Sequence, residues 1–373
     1  MKKGKINWLV AFTVLAFVFS IVACSLQSSG SGSGSTTATY AAGDSARINI
    51  SFGGTTYSKT GEVYVTGPNG ASITGAANTN NYTGVFISGR NVTLSPYIMG
   101  KYEVTQQLYT AVMTNQTISL GDAVYTLDAS PSYCTESSSY TKVSTDIQKL
   151  RPVEGVTWYD AVYFCNKLSE KMNLTPVYNI TITSVSASTA RHITAATVSL
   201  VENANGYRLP TAAEWEFAAR GGNPSTPVWN YTFSGATTAD GTAYTESLNK
   251  GLDTVGWYYY NLDGKTNNTA LSSGNTGYGT HEVGTKTENS LHIFDMSGNV
   301  CEWCYDWEER WEERKPATGN FTNPTGAASG VLRVLRGGCW YYPAFYCSVC
   351  YPGNYYPDYE SCYWGFRVVR SVL

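Results

Sequence analysis

Nine cysteines, three histidines and one carboxylate-bearing turn are the groups in this chain that could bind a metal or carry a reaction. Two cysteine pairs have the CxxC spacing, Cys301/Cys304 in "CEWC" and Cys347/Cys350 in "CSVC". That spacing suits zinc. Neither pair is followed by the glycine or basic residues of a zinc knuckle, and Trp303 sits inside one of them, so buried thiols or a disulfide read better. His192, His281 and His292 belong to no metal or triad motif. The turn "DMSGNVCEW" offers side-chain oxygens at Asp295, Asn299 and Glu302 around Gly298. Hard cations such as calcium take roughly six to eight oxygens, many from backbone carbonyls. The same residues also suit a turn closed by Asx hydrogen bonds without metal.

A different chemistry is written near the C-terminus. Residues 339–366, "CWYYPAFYCSVCYPGNYYPDYESCYWGF", hold eight tyrosines and four cysteines, with no lysine or arginine. The stretch is too irregular for a strand and too rich in Pro and Gly for a helix. A buried strand would place its rings at every second residue. Here Tyr341/Tyr342 and Tyr355/Tyr356 are adjacent, and adjacent residues in an extended chain face opposite ways. The rings are therefore expected at the surface. Tyrosine gives large amphipathic contact area at low entropy cost, and Ser, Gly and Asn give adaptable hydrogen bonding, as in antibody paratopes. The expected contact set is Tyr341, Tyr342, Pro343, Phe345, Tyr346, Tyr351, Gly353, Asn354, Tyr355, Tyr356, Asp358, Tyr359, Ser361 and Tyr363, for a protein or other macromolecular ligand. Trp340, Trp364 and Phe366 are expected in the core.

The elements that must hold this stretch are few. The sequence has 373 residues, 42% of them hydrophobic and only 14% charged. Globular proteins usually carry about 25% charged residues, so Ser, Thr, Asn, Gly and Tyr must cover this surface. Net charge is −3 and no basic stripe exists, which argues against a nucleic-acid partner. Lys2, Lys3 and Lys5, an apolar run from Trp8 to Val22, and "SIVACS" read as a secretory signal ending before Cys24. Residues 25–44 then read as a flexible Ser/Gly-rich tether. Residues 45–100 read as short strands, "RINISF", "GEVYVTG", "GVFISG" and "NVTLSPYIMG". Helices are expected after the caps Thr105, Thr157 and Thr211, the last with Glu214 as a capping box and Gly221 as its C-terminal stop. Beyond residue 222 no helix is convincing, though aromatic clusters such as "GWYYYN" occur. "VLRVLRGG" and "GFRVVRSV" are expected to pair as strands and bracket the aromatic stretch. One large mixed domain over 45–373 is the economical reading.

Five segments in order, "MGKYEVTQQLY", "PVEGVTWYDAVYFCNKLS", "GYRLPTAAEWEFAARGG", "FDMSGNVCEWCYDW" and "RVLRGGCW…GFRVV", resemble the sulfatase-modifying-factor family, which includes the formylglycine-generating enzymes. The resemblance implies an α+β, C-type-lectin-like fold with few helices, short strands and long ordered loops. It implies a structural calcium held by the Asp295 and Glu302 side chains and the Gly298 and Val300 carbonyls. The N-terminus resembles a bacterial lipoprotein signal, implying lipidation at Cys24, attachment to a membrane through the lipid, and display at the outer membrane or cell surface.

Formylglycine-generating members oxidise a cysteine of a client sulfatase with two cysteines in a G-G-S-x-x-C-x-x-x-x-C frame. Here Cys347 matches the second position and Tyr342 stands at the first. A redox or copper-binding pair needs two thiolates, so no enzyme activity is expected; an oxidase acting on sulfatase cysteines is the alternative. The chain looks most like the retroelement-diversified variable proteins of Treponema, a subgroup in which adenine-directed mutagenesis rewrites codons. Between Tyr341 and Tyr363 only Glu360 falls outside the NNC-encoded set. The implied variable region is 339–364.

Overall fold

A computed structural model describes residues 40–372, apart from 68–70, 73–83, 88, 136–139, 141–142, 189–190, 240–248, 264–272, 274 and 310–317. The signal segment, Cys24 and residues 25–39 of the tether lie outside the described residues. The tether was expected to reach residue 44, but Tyr40–Asp44 is already docked. The Tyr40 ring stacks on Tyr64 at 3.9 Å, and Gly43 donates its N–H to the Tyr64 carbonyl at 2.9 Å.

Three helices form where local signals place them. Helix α1, Gln106–Met113, starts at Thr105, whose hydroxyl accepts from the Leu108 N–H. Helix α2, Trp158–Lys171, starts at Thr157 in a capping box completed by Asp160. Helix α3, Ala212–Ala219, has the Thr211/Glu214 capping box, and Gly221 adopts φ +81°, the left-handed conformation that ends a helix cheaply. Ala161, Phe164, Cys165 and Leu168 of α2 are buried on one stripe, while every residue of α3 is buried.

Two small sheets organise the rest. The first runs in the order Ser45–Arg47, Glu62–Val65, Tyr97–Gly100, Val369–Ser371, Tyr207–Arg208, all antiparallel. The second runs Gly353–Tyr355, Arg333–Arg336, Cys301–Trp307, Trp364–Gly365, the last pair parallel. The two strand-like flanks of the aromatic stretch therefore do not pair with each other. Arg333–Arg336 belongs to the second sheet and Val369–Ser371 to the first, because each finds a longer partner elsewhere. "GVFISG" is not a strand over its described residues. The aromatic stretch is also more regular than its composition suggests: it holds a 3-10 turn, Ala344–Cys347, and the edge strand Gly353–Tyr355. A hairpin of Tyr178–Val185 with Ile193–Leu200 was not anticipated.

Beneath the second sheet lies a network of buried ion pairs. Glu302 accepts from Arg367 Nε and Nη2, both at 2.7 Å, and from Trp215 Nε1 at 2.8 Å. Glu216 takes Arg220 Nε at 2.9 Å on one oxygen, and Arg336 Nη2 at 2.8 Å with the Val85 N–H at 2.7 Å on the other. Buried charges are tolerable only when paired and hydrogen-bonded in this way.

Candidate binding surface

The aromatic segment begins and ends in the core. Trp340, Trp364 and Phe366 are buried, as are Cys347 and Cys350. Gly338, at φ +68°, turns the chain out of the Arg333–Arg336 strand. A Cβ there would lie 2.6 Å from the Tyr346 carbonyl, so only glycine fits without displacement. Backbone bonds to the scaffold then hold the segment along its length. Trp340 donates its N–H to the Asn299 carbonyl at 2.8 Å, and Val349 to Thr232 at 2.9 Å. The Pro357 carbonyl accepts from Trp158 at 3.0 Å, that of Ser361 from Gly155 at 2.9 Å, and that of Tyr363 from Cys301 at 2.8 Å. Gly353–Tyr355 pairs with Arg333–Leu335.

None of the expected contact residues is buried. Tyr341, Tyr346, Tyr355, Tyr356, Asp358 and Tyr359 are exposed, and Tyr342, Pro343, Phe345, Tyr351, Gly353, Asn354, Ser361 and Tyr363 are half-buried. The positions interleaved with them, Ala344, Cys347–Cys350, Pro357 and Cys362, are buried. The rings form two groups. Tyr341 stacks on Tyr363 at 5.1 Å, Tyr342 meets Tyr346 at 5.1 Å, and Tyr346 meets Tyr351 at 5.0 Å. Separately, Tyr355, Tyr356 and Tyr359 lie 5.4–5.8 Å apart, with Tyr355 leaning on Trp364 at 4.4 Å.

Framework aromatics that the sequence reading did not assign meet this face. Tyr259 crosses Tyr341 edge-on at 5.6 Å and donates its N–H to the Tyr342 carbonyl at 3.3 Å. Tyr278 packs against Trp340 at 4.9 Å and stacks on Tyr140 at 5.8 Å. Tyr133 donates its hydroxyl to Glu360 at 2.9 Å. The cluster "GWYYYN" contains Tyr259; no sequence signal pointed to Tyr133 or Tyr278.

The Glu302 and Asp295 carboxylates, expected as calcium ligands, both hold protein partners, while Asp295 Oδ1 is buried without one. Both Glu302 oxygens accept from the Arg367 guanidinium. Asp295 Oδ2 accepts the Gly284 N–H at 2.6 Å, and burial pushes its carboxyl up to about 6. The Gly298 N–H donates to the Gly337 carbonyl at 2.8 Å and the Val300 N–H to Glu103 at 3.1 Å, which fixes the backbone of the turn. Asn299 accepts the His281 N–H at 2.9 Å and donates to Glu103 at 2.7 Å. The turn is thus closed by side-chain hydrogen bonds, with Asp295 and Asn299 at positive φ. Among the described residues no group of three Cys, His, Asp or Glu side chains is placed to hold a metal, the two CxxC pairs included.

No disulfide joins the cysteines of the described residues, and all eight are buried. Burial, with a further push from Cys339, drives the Cys347 thiol well above its ordinary value. Burial, then Cys301 and Cys339, does the same to the Tyr342 phenol. Neither group is poised as an anion, which nucleophilic or redox chemistry would require. His281 is buried, 3.0 Å from Asp146 and stacked on Trp257 at 3.9 Å, a structural position.

Few helices, small sheets and long, hydrogen-bonded loops define an α+β domain of the C-type-lectin-like kind. The chain belongs to the sulfatase-modifying-factor family: residues 54–372 match the sulfatase-modifying factor enzyme 1-like domain. It is 36% identical over 291 residues to Chaperone protein LppX of Paenibacillus barcinonensis, covering 76% of this chain and 83% of that one. It is 29% identical over 194 residues to the formylglycine-generating enzyme of Thermomonospora curvata, covering 45% of this chain and half, 50%, of that enzyme. Among solved structures it is similar to Treponema denticola variable protein 1, with a TM-score of 0.62 and 30% identity over 87% of this chain and 98% of that one.

Proposed function

We propose that this chain is a binding protein of the cell surface, exported and lipid-anchored through Cys24, that recognises a macromolecular ligand through the side chains of 341–363 and performs no reaction. The observation that carries this reading is the division of labour in the segment. Its main chain is held by scaffold bonds and buried residues, while the side chains with paratope chemistry face outward. The exposed ones, such as Tyr346, Tyr356 and Tyr359, can be exchanged without touching the core, which is what a diversity-generating retroelement requires of its target. The similarity to Treponema denticola variable protein 1 supports this reading. Among the described residues no helix is long and apolar enough to cross a membrane.

The flanking DNA tests it. A near-identical repeat of the 3′ coding sequence, with adenines at the variant positions and a reverse-transcriptase gene beside it, is expected; its absence overturns diversification. Incubation with a CxPxR peptide, copper and oxygen should leave the peptide cysteine unchanged. Formylglycine formation would overturn the non-catalytic reading in favour of a sulfatase-directed oxidase.

A further inference from the structure

The loops that meet the aromatic segment share one property with it. Residues 129–135, 255–263, 275–282 and 339–366 contain no lysine or arginine, yet carry Asp263, Glu282, Asp358 and Glu360. The chain has 25 lysines and arginines in all, so their absence from these segments is a local feature. Elsewhere the fold covers aromatic faces with its own cations. Lys59 sits over Tyr102 at 5.2 Å, Lys167 over Tyr163 at 5.3 Å, and Arg191 over Tyr125 at 5.1 Å. On this face the segment itself supplies none. Ring faces attract cations, more strongly once water is displaced, and exposed carboxylates add a long-range attraction for positive charge.

We propose that the recognition face is a composite, in which the framework residues Tyr133, Tyr259 and Tyr278 extend the aromatic segment, and that its partner is a protein surface presenting arginine or lysine. The inference rests on the binding role proposed above. Tyr133 is 46% exposed and reaches the segment through Glu360; Tyr259 and Tyr278 are half-buried and contact Tyr341 at 5.6 and 6.3 Å. These contacts give the face a constant rim beside the exchangeable rings. Asp358, exposed between Tyr356 and Tyr359, supplies a carboxylate within the second ring cluster.

The test uses the full chain and an array of synthetic peptides in three classes: arginine/lysine-rich, acidic, and neutral aromatic. The cationic class should bind best, with affinity falling as salt rises. Asp358→Asn with Tyr359→Ser should weaken it by about tenfold, and Tyr133→Ser or Tyr259→Ser by about threefold or more. Tyr133 is exposed enough that its replacement leaves the fold intact, which a melting curve checks. Preference for acidic peptides, or framework substitutions without effect, would overturn this inference while leaving the binding role standing. Binding by no class would also overturn it; the flanking DNA would then decide the binding role separately.

Discussion

Trp340 donates its indole N–H to the Cys362 carbonyl at 3.0 Å, tying the two ends of the aromatic segment together through a fully buried side chain. The loop between them is closed by framework, and its exposed rings need contribute nothing to that closure. Trp340→Ala is expected to cost about 3–5 kcal/mol, as for other large-to-small core changes. Tyr356→Ser or Tyr359→Ser should stay within about 0.5 kcal/mol. Urea unfolding of the three variants checks this, and a large loss at Tyr359 would refute it.

Allelic variation should follow the same division. Differences among copies of the gene are expected at the exposed and half-buried positions of 341–363 and not at Ala344, Cys347, Ser348, Val349, Cys350, Pro357 or Cys362, which are buried. Sequencing several isolates decides it; substitutions spread evenly over both sets would be the contrary result.

The Glu302–Arg367 pair gives a stability prediction and a metal prediction. Arg367→Met leaves a buried carboxylate without its cation and should cost about 3–5 kcal/mol, whereas replacing both partners by apolar residues should cost less than the single change. Because the guanidinium already neutralises Glu302, chelation with EDTA should leave the melting temperature unchanged. A drop restored by added calcium would show that the ion binds after all.

His192 gives the pH dependence. Burial lowers its pKa, but the hydrogen bond and charge of Asp160, 2.7 Å away, outweigh burial and raise it above the ordinary imidazole value of about 6.5. The protonated form is favoured in the folded state, so this contribution is fully present below the unfolded value. It is lost as pH rises through the higher folded value. His192→Gln should therefore narrow its stability deficit against the parent as pH is raised past neutrality. A deficit independent of pH between 5 and 9, roughly the span over which an imidazole titrates, would contradict this.

Three of the four helices of the described residues were legible because capping is local: Thr157 and Asp160, or Thr211 and Glu214, are three residues apart and announce a helix start on their own; the fourth, the single turn Lys250–Asp253 capped by Asn249, lies beyond residue 222, where no helix was expected. The outward-facing rings were legible from adjacent tyrosines and interspersed prolines for the same reason. The hairpin Tyr178–Val185/Ile193–Leu200 was missed although Ile180 and Ile182 alternate with Thr181 and Thr183; both strands are largely half-exposed, which blurs the apolar contrast. Strand partners were misjudged because pairing is a long-range choice. The surroundings of the expected calcium ligands were hidden for the same reason. Glu302 looks like a ligand in its own segment, and only the fold brings Arg367, 65 positions later, onto both of its oxygens. Tyr133, Tyr259 and Tyr278 lie too far along the chain from Tyr341 for any local pattern to join them.

Arg336 and Arg367, each neutralised in the interior by its own glutamate, are also consecutive arginines with no lysine between them. Trypsin acting on the denatured chain would thus release residues 337–367 as a single fragment. Mass spectrometry of that one peptide would type each variant of the protein directly from a mixed population.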